Sequence, residues 1–275
     1  MRANVWLGCL CGVVAAFSFS GELSGADPAP PIKELVLPGE AFLVAGRPAF
    51  ILWPAQEKRA EPQPWIFYAP TLPGYPDKHE QWMHQQFLDA GIAVAGIDVG
   101  EAYGSPQASK LFTQLYDELT RKRGFAPKCC LLGRSRGGLW VTRWASEHPE
   151  KVTGIAGIYP VFDLRTYPGV AKAATAYELQ PQELEAKLSE YNPIERVGVL
   201  AQAKIPVFFI HGDEDKVVPL AENSAEFVAR YQAAGAEKQA TLVVVKGQGH
   251  NFWEGFFRHQ ALVDFAIARA AAGAR

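Results

Sequence analysis

The sequence predicts an α/β fold: a mostly parallel central sheet with helices on both faces and an antiparallel edge at its N-terminal side. Three observations predict it. From Trp65 onward, short and nearly continuous apolar runs alternate with segments of helical period, the rhythm of parallel strands joined by crossover helices. Before Trp65 the chain carries strand-like runs parted by turn residues, with no helical segment between them, which suits antiparallel pairing. Hydrophobic residues make up 48 % of the 275 residues, enough to fill the core of a single α/β domain.

Taken in order, Glu34–Leu37, Ala41–Val44 and Ala49–Trp53 have strand character, the last two separated by the break Gly46-Arg47-Pro48. Trp65–Tyr68 is a short buried strand closed by Ala69-Pro70 and followed by a Gly/Pro-rich loop, Thr71–Asp77. A helix is expected over Lys78–Ala90 and a strand over Ile92–Ile97. The alternation repeats with helix Gln107–Lys122, strand Lys128–Leu132, helix Ser135–Glu147 and strand Val152–Ile158. An excursion around residues 160–203 interrupts it, with helical character over Ala171–Tyr177 and Gln182–Tyr191 between prolines, either a small lid or a decorated crossover. Strand Ile205–Ile210, helix Ala221–Ala233, strand Thr241–Val245 and helix Trp253–Ala272 complete the chain.

Charge excludes one class of partner. The formal net charge is −2, from 27 basic and 29 acidic residues, and no Lys/Arg run forms a phosphate-binding stripe, so nucleic acid is not an expected partner. Residues 1–26 differ in kind from the rest of the chain. Arg2 precedes an apolar stretch, Val5–Phe19, and small residues Ser24 and Ala26 stand before Asp27. This is the pattern of an export signal, which makes residues 27–275 the working domain and its expected location secreted or periplasmic. No later run is long and apolar enough for stable membrane insertion. Cys129 and Cys130 are adjacent on a strand, so they point to opposite faces and read as buried residues, poorly placed to bridge each other.

The chemistry-bearing signals sit where strands end. Gly133-Arg134-Ser135-Arg136-Gly137-Gly138 lies between an apolar strand and a helical segment. Reversing from strand to helix within a few residues requires small residues at the crowded positions, and the bend exposes Ser135 with the next helix aiming its amides at charge that develops there. His211-Gly212-Asp213-Glu214-Asp215-Lys216-Val217-Val218-Pro219 begins at the end of one strand, and Gly249-His250-Asn251-Phe252 follows another. Parallel strands bring such ends to one edge of the sheet, here in the order Ser, Asp, His.

These motifs resemble the α/β-hydrolase superfamily, in particular the branch of dienelactone-hydrolase-like esterases and prolyl-oligopeptidase-like catalytic domains. The resemblance covers roughly Ala49–Ala272 and rests on the elbow at Ser135, the H-G-x-x-D-x-x-V-P segment from His211 to Pro219, and Gly249-His250. It implies an α/β-hydrolase fold in which Ser135 is the nucleophile, His250 the base and Asp215 the acid, with Asp213 the competitor for the last role. It also implies an oxyanion hole made by the backbone amide of Arg136 and one amide of the loop after Trp65–Tyr68. That loop departs from the family's His-Gly pattern and its prolines cannot donate, which leaves Thr71 ahead of Leu72.

Around this centre Leu72, Arg134, Tyr103, Phe252 and Trp253 are candidate substrate contacts, with Glu101 at the rim. Arg134 and Arg136 are read either as salt-bridged or as attracting an anionic substrate. Asp163 is a secondary candidate beyond Val152–Ile158, and His211 is read as structural. No cofactor is expected, since no G-x-G-x-x-G opens the domain, and no metal, since no pair among the six His has HxxxH or HxH spacing. The expected activity is an exported serine hydrolase cleaving carboxylic esters of small or medium substrates through an acyl-enzyme. A serine peptidase on short peptides and a non-catalytic hydrolase-fold binding protein are the alternatives.

Overall fold

The computed structural model describes Met1 and residues 32–275; the expected export signal falls, Met1 apart, outside the described residues. Eight strands form one sheet: β1 (Gly39–Val44), β2 (Arg47–Leu52), β3 (Trp65–Ala69), β4 (Ala93–Ile97), β5 (Cys129–Arg134), β6 (Val152–Ile158), β7 (Val207–Gly212) and β8 (Ala240–Val245). Their order is β1-β2-β4-β3-β5-β6-β7-β8. β1 pairs antiparallel with β2 and β2 with β4, and every pairing from β4 to β8 is parallel. The β1–β2 connection is Ala45-Gly46, with φ of 51° and 74°, the kind of two-residue turn whose twist matches the strands it joins.

The helices are α1 (Gln81–Asp89), α2 (Pro106–Lys122), α3 (Gly137–Glu147), the short α4 (Val170–Ala174), α5 (Pro181–Ala186), α6 (Leu188–Tyr191) and α7 (Val197–Gln202), then α8 (Glu226–Ala233), α9 (Glu254–Phe257) and α10 (Gln260–Ala272). Strand side chains alternate between two apolar layers. In β3, Trp65, Phe67 and Ala69 face the layer covered by α2, α3 and α8, while Ile66 and Tyr68 face the layer covered by α1 and α10. Because both faces are covered, β3, β4 and β5 are buried along their whole length. Cys129 and Cys130 go to opposite layers as free thiols, and burial pushes the Cys130 thiol up to about 12. Residues 160–203 form a decorated crossover: Ala173, Leu184, Leu188, Ile194 and Leu200 are buried in the first layer.

Three expectations are corrected. Glu34–Leu37 is irregular, not a strand, because β2 ends at Leu52, Trp53 donates back to the Pro38 carbonyl (3.2 Å), and no strand remains for the segment to pair with. The helix expected from Lys78 starts at Gln81. Ahead of it Asp77 and Glu80 are occupied with local turns, Asp77 accepting from the His79 amide (2.8 Å) and Glu80 from the Asp77 amide (3.0 Å). The closing helix is broken at Arg258-His259, where His259 is extended and its Nδ1 accepts from the Leu262 amide (3.3 Å), capping α10. Among the described residues no helix is long and apolar enough to cross a membrane.

One topological feature positions the site. β3 leads to β4 on one side, and the chain then returns to lay β5 against the other side of β3. Loops leaving the carboxyl ends of β3 and β5 therefore diverge, opening the crevice in which α/β sheets hold ligands.

Candidate active site

Ser135 stands at that crevice, on the turn from β5 into α3. Its φ is 50°, a left-handed conformation that costs a residue with a side chain about 1–3 kcal/mol and persists only where its surroundings impose it. Here the Ser135 amide donates to the Ile158 carbonyl (2.9 Å), and its carbonyl accepts from the amides of Gly138 (2.9 Å) and Val161 (2.8 Å). The glycines are demanded by contact. A Cβ on Gly137 would run into the Ala69 carbonyl and lie 2.6 Å from the Pro70 nitrogen, and one on Gly138 would lie 2.5 Å from the Val161 carbonyl oxygen. Gly137→Ala is therefore expected to push the β3 loop off α3, lowering stability by about 1–3 kcal/mol together with kcat/KM. Thermal melting and steady-state kinetics check this, and an unchanged melting temperature would contradict the packing argument.

His250, from the loop after β8, meets Ser135 with Nε2 2.8 Å from Oγ, and its Nδ1 lies 2.7 Å from Asp215 Oδ2. A carboxylate only accepts, so Nδ1 carries the proton, Nε2 is the acceptor, and the Ser135 hydroxyl donates to it. Asp215 is held on both oxygens. Oδ1 accepts from the amides of Val217 (3.0 Å) and Val218 (2.8 Å), and Oδ2 also lies 3.4 Å from His211 Nε2. Burial alone would raise the Asp215 carboxyl, but hydrogen bonds from His211, His250 and the Val218 amide hold it well below the ordinary carboxylate range. His211 Nε2 donates to the Val218 carbonyl (2.9 Å), leaving Nδ1 to accept from Ser224 Oγ (2.8 Å). His211 thus braces the acid loop.

Asp213, the competing acid, has another job. Its Oδ1 accepts from the Gly247 amide (2.7 Å), and the neighbouring Glu214 amide donates to the Gln248 carbonyl (3.0 Å), stitching the β7 loop to the loop that carries His250. The Arg136 amide has no acceptor among the described residues and stands at the N-cap of α3, so it is free to meet developing negative charge.

A cavity of about 120 Å³ opens beside Ser135, lined by Pro70, Tyr75, Arg134, Arg136, Tyr159, His250, Asn251 and Phe252. Thr71 and Leu72 do not line it. Thr71 is fully buried and bridged to Asp98, while the Leu72 carbonyl accepts from Lys33 Nζ (2.7 Å). Nor does Tyr103, whose ring is buried and whose carbonyl accepts from the Tyr177 hydroxyl (2.9 Å), or Trp253, which packs edge-on against Phe256 at the surface. Asp163 accepts from Asn192 Nδ2 (2.7 Å), within the crossover segment. The residues that sequence reasoning passes over are Tyr75 and Tyr159. Tyr159 sits at φ 34° with its ring 4.3 Å from the His250 ring. A signal for it exists in Tyr159-Pro160, which follows a strand end on the same edge as the other three loops.

The two arginines beside Ser135 differ in setting. Arg136 pairs with Glu101 at the cavity mouth. Arg134 is only 4 % exposed, and its Nη1 bridges Asp77 (3.0 Å) and Glu80 (2.9 Å). Burial pushes the Glu80 carboxyl up, while Arg134, the Tyr68 hydroxyl and the Asp77 amide all donate to it and oppose that shift. His84, beside this cluster, is driven down to about 3 by burial and by the Arg134 charge, so it is neutral.

A model of the Prolyl oligopeptidase family matches residues 112–267. Comparison with curated proteins finds no match. Among solved structures, the chain is similar to a puromycin-hydrolyzing peptidase of Mycobacterium tuberculosis (17 % identity, TM-score 0.62), over 85 % of this chain and 40 % of that one. It is similar to Est1E from Butyrivibrio proteoclasticus (18 %, 0.63), over 85 % of this chain and 99 % of the other. It is also similar to dipeptidyl peptidase 4 of Porphyromonas gingivalis (16 %, 0.65), over 85 % and 35 %. At these identities the likeness speaks for the fold, and the chain spans well under half of each peptidase.

Proposed function

Because the chain belongs to the prolyl oligopeptidase family, we propose that this serine-hydrolase-fold enzyme cleaves amide bonds of short peptides or aminoacyl compounds through an acyl-enzyme formed on Ser135. The family match moves peptide cleavage ahead of the ester cleavage expected from sequence. The observation that carries the reading is the hydrogen-bonded line Ser135–His250–Asp215 at the switch point of the sheet.

In this reading His250 Nε2 takes the Ser135 proton as Oγ attacks the substrate carbonyl carbon, and Asp215 stabilises the imidazolium that results. The oxyanion meets the Arg136 amide. Tyr75, the residue of the β3 loop that lines the cavity and carries a donor, replaces Thr71 as the proposed second contact. The tetrahedral intermediate collapses as His250 passes its proton to the leaving amine, and water then repeats the sequence to release the acid and restore Ser135. Export directed by residues 1–26 is part of the same proposal and requires a mature N-terminus near Asp27.

A fluorophosphonate probe tests the chemistry directly. The wild type is expected to label at Ser135, while Ser135→Ala, folded to the same melting temperature, does not. Absence of labelling in well-folded wild type would favour a non-catalytic binding protein. A panel of aminoacyl anilides and acyl esters then ranks amide against ester cleavage.

A further inference from the structure

One lysine of the segment before β1 is drawn inside. Ile32 and Glu34 are exposed, whereas Lys33 between them is only 8 % exposed. Burying an ammonium is costly unless the interior compensates it, and here the compensation comes from the loop after β3. Lys33 Nζ donates to the Leu72 carbonyl (2.7 Å) and lies 5.9 Å from the ring centre of Phe50. Burial draws the ammonium down from its ordinary value, and the Asp98 charge opposes that shift.

The loop itself is poor in donors. Pro70, Pro73 and Pro76 bring no amide hydrogen. At its root, Thr71 is bridged to Asp98. Asp98 is in turn clasped by Arg47, whose Nε donates to its carbonyl (2.8 Å) and whose Nη2 donates to its carboxylate (3.1 Å). Beyond the root, Leu72-Pro73-Gly74-Tyr75 is a turn closed by the Tyr75 amide, which donates to the Leu72 carbonyl (2.9 Å). The Tyr75 main chain makes no other hydrogen bond among the described residues. A single carbonyl oxygen therefore both closes the turn and tethers it to the segment before β1, with one lone pair for each donor. The tether is the stronger bond of the two, because its donor is charged.

With its amide engaged in the turn, Tyr75 brings its hydroxyl as the donor to the cavity that it lines. A hydroxyl at the end of a ring shifts with the turn beneath it, and a displacement of about 1 Å is enough to weaken stabilisation of a transition state severely. Resting on the serine-hydrolase reading above, in which Tyr75 meets the oxyanion, we propose that Lys33 is a positioning residue, whose buried ammonium grips the Leu72 carbonyl and so holds the Tyr75 turn where the oxyanion forms. The segment that leads into β1 is then a working part of the active site, although it lies outside the elements that carry Ser135, Asp215 and His250.

The test is a double-variant cycle between Lys33 and Tyr75, read in the kcat and KM of p-nitrophenyl acetate hydrolysis, each protein assayed equally far below its own melting temperature. Tyr75→Phe is expected to lower kcat about 10²-fold. Lys33→Met is expected to lower kcat about tenfold with KM within about twofold of wild type. In the Tyr75→Phe background the same substitution is expected to change kcat by less than about twofold, because a donor already absent cannot be misplaced. If Lys33→Met does not fold, Lys33→Gln, shorter and uncharged, carries the same cycle. An unchanged kcat in the folded Lys33 variant, a loss confined to KM, or a loss that multiplies in full onto that of Tyr75→Phe overturns the positioning role and leaves the hydrolase reading standing. Tyr75→Phe with the kcat of wild type removes the oxyanion contact and the positioning role with it. Wild type that neither labels with fluorophosphonate nor cleaves the ester overturns the hydrolase reading as well.

Discussion

Asp215→Asn is expected to lower kcat about 10⁴-fold while leaving KM within a few-fold. The size reflects which way the new amide must face. Asp215 Oδ1 accepts from two backbone amides, Val217 and Val218, so the single oxygen of Asn is compelled to take that place. The NH₂ group then points at His250 Nδ1 and His211 Nε2, where a carboxylate oxygen had been. His250 responds by carrying its proton on Nε2, toward Ser135, and can no longer accept the hydroxyl proton. Steady-state hydrolysis of an activated ester measures the loss, and a drop of less than tenfold would sink this account of the acid.

The same variant has a stability signature with a definite sign. The folded carboxyl of Asp215 is depressed below an unfolded value of about 3.9. Its contribution is therefore present above that value and is lost as pH falls below about 4 toward the folded value. Asn does not titrate, so the variant's denaturant midpoint is expected to fall less steeply than that of the wild type on acidification through this window.

The second large effect concerns Arg134. Arg134→Met alone is expected to destabilise the fold by about 3–5 kcal/mol, because it strands Glu80, whose side chain is 1 % exposed, as an unpaired buried charge. Adding Glu80→Gln is expected to return most of that loss, since the amide needs no counter-ion. Urea unfolding of the two single variants and the double variant closes a cycle whose coupling energy isolates the pair. A cost below about 1 kcal/mol for Arg134→Met would mean that the cluster is solvated and not sealed.

What the sequence makes legible is what periodicity and local spacing encode. Fully buried strands such as β3 and β5 read as continuous apolar runs, and the strand-turn-helix at Ser135 reads from small residues at crowded positions. Partners set by tertiary packing leave no such trace. Arg134 meets Glu80 across 54 positions of the chain, and an isolated carboxylate in a helix-start pattern does not announce a buried ion pair. The second oxyanion contact fails for a related reason. Sequence alone shows which residues of the loop after β3 own an amide, whereas the loop's buried anchorage through Thr71 and Leu72 determines which of them face the cavity. Strand character at Glu34–Leu37 is real in composition, but a strand needs a neighbour and β2 stops short of it.

Ser135 and His250, the pair proposed to react, are rooted in ground of unequal firmness. Ser135 springs from β5, sealed along its length in the middle of the sheet, while His250 hangs from β8, one of the two edge strands, with Val244 45 % exposed. Marginal strands open at a smaller free-energy cost than central ones. Warming should therefore detach the imidazole while the hydroxyl remains in place, so that catalysis fails several degrees before the molecule melts.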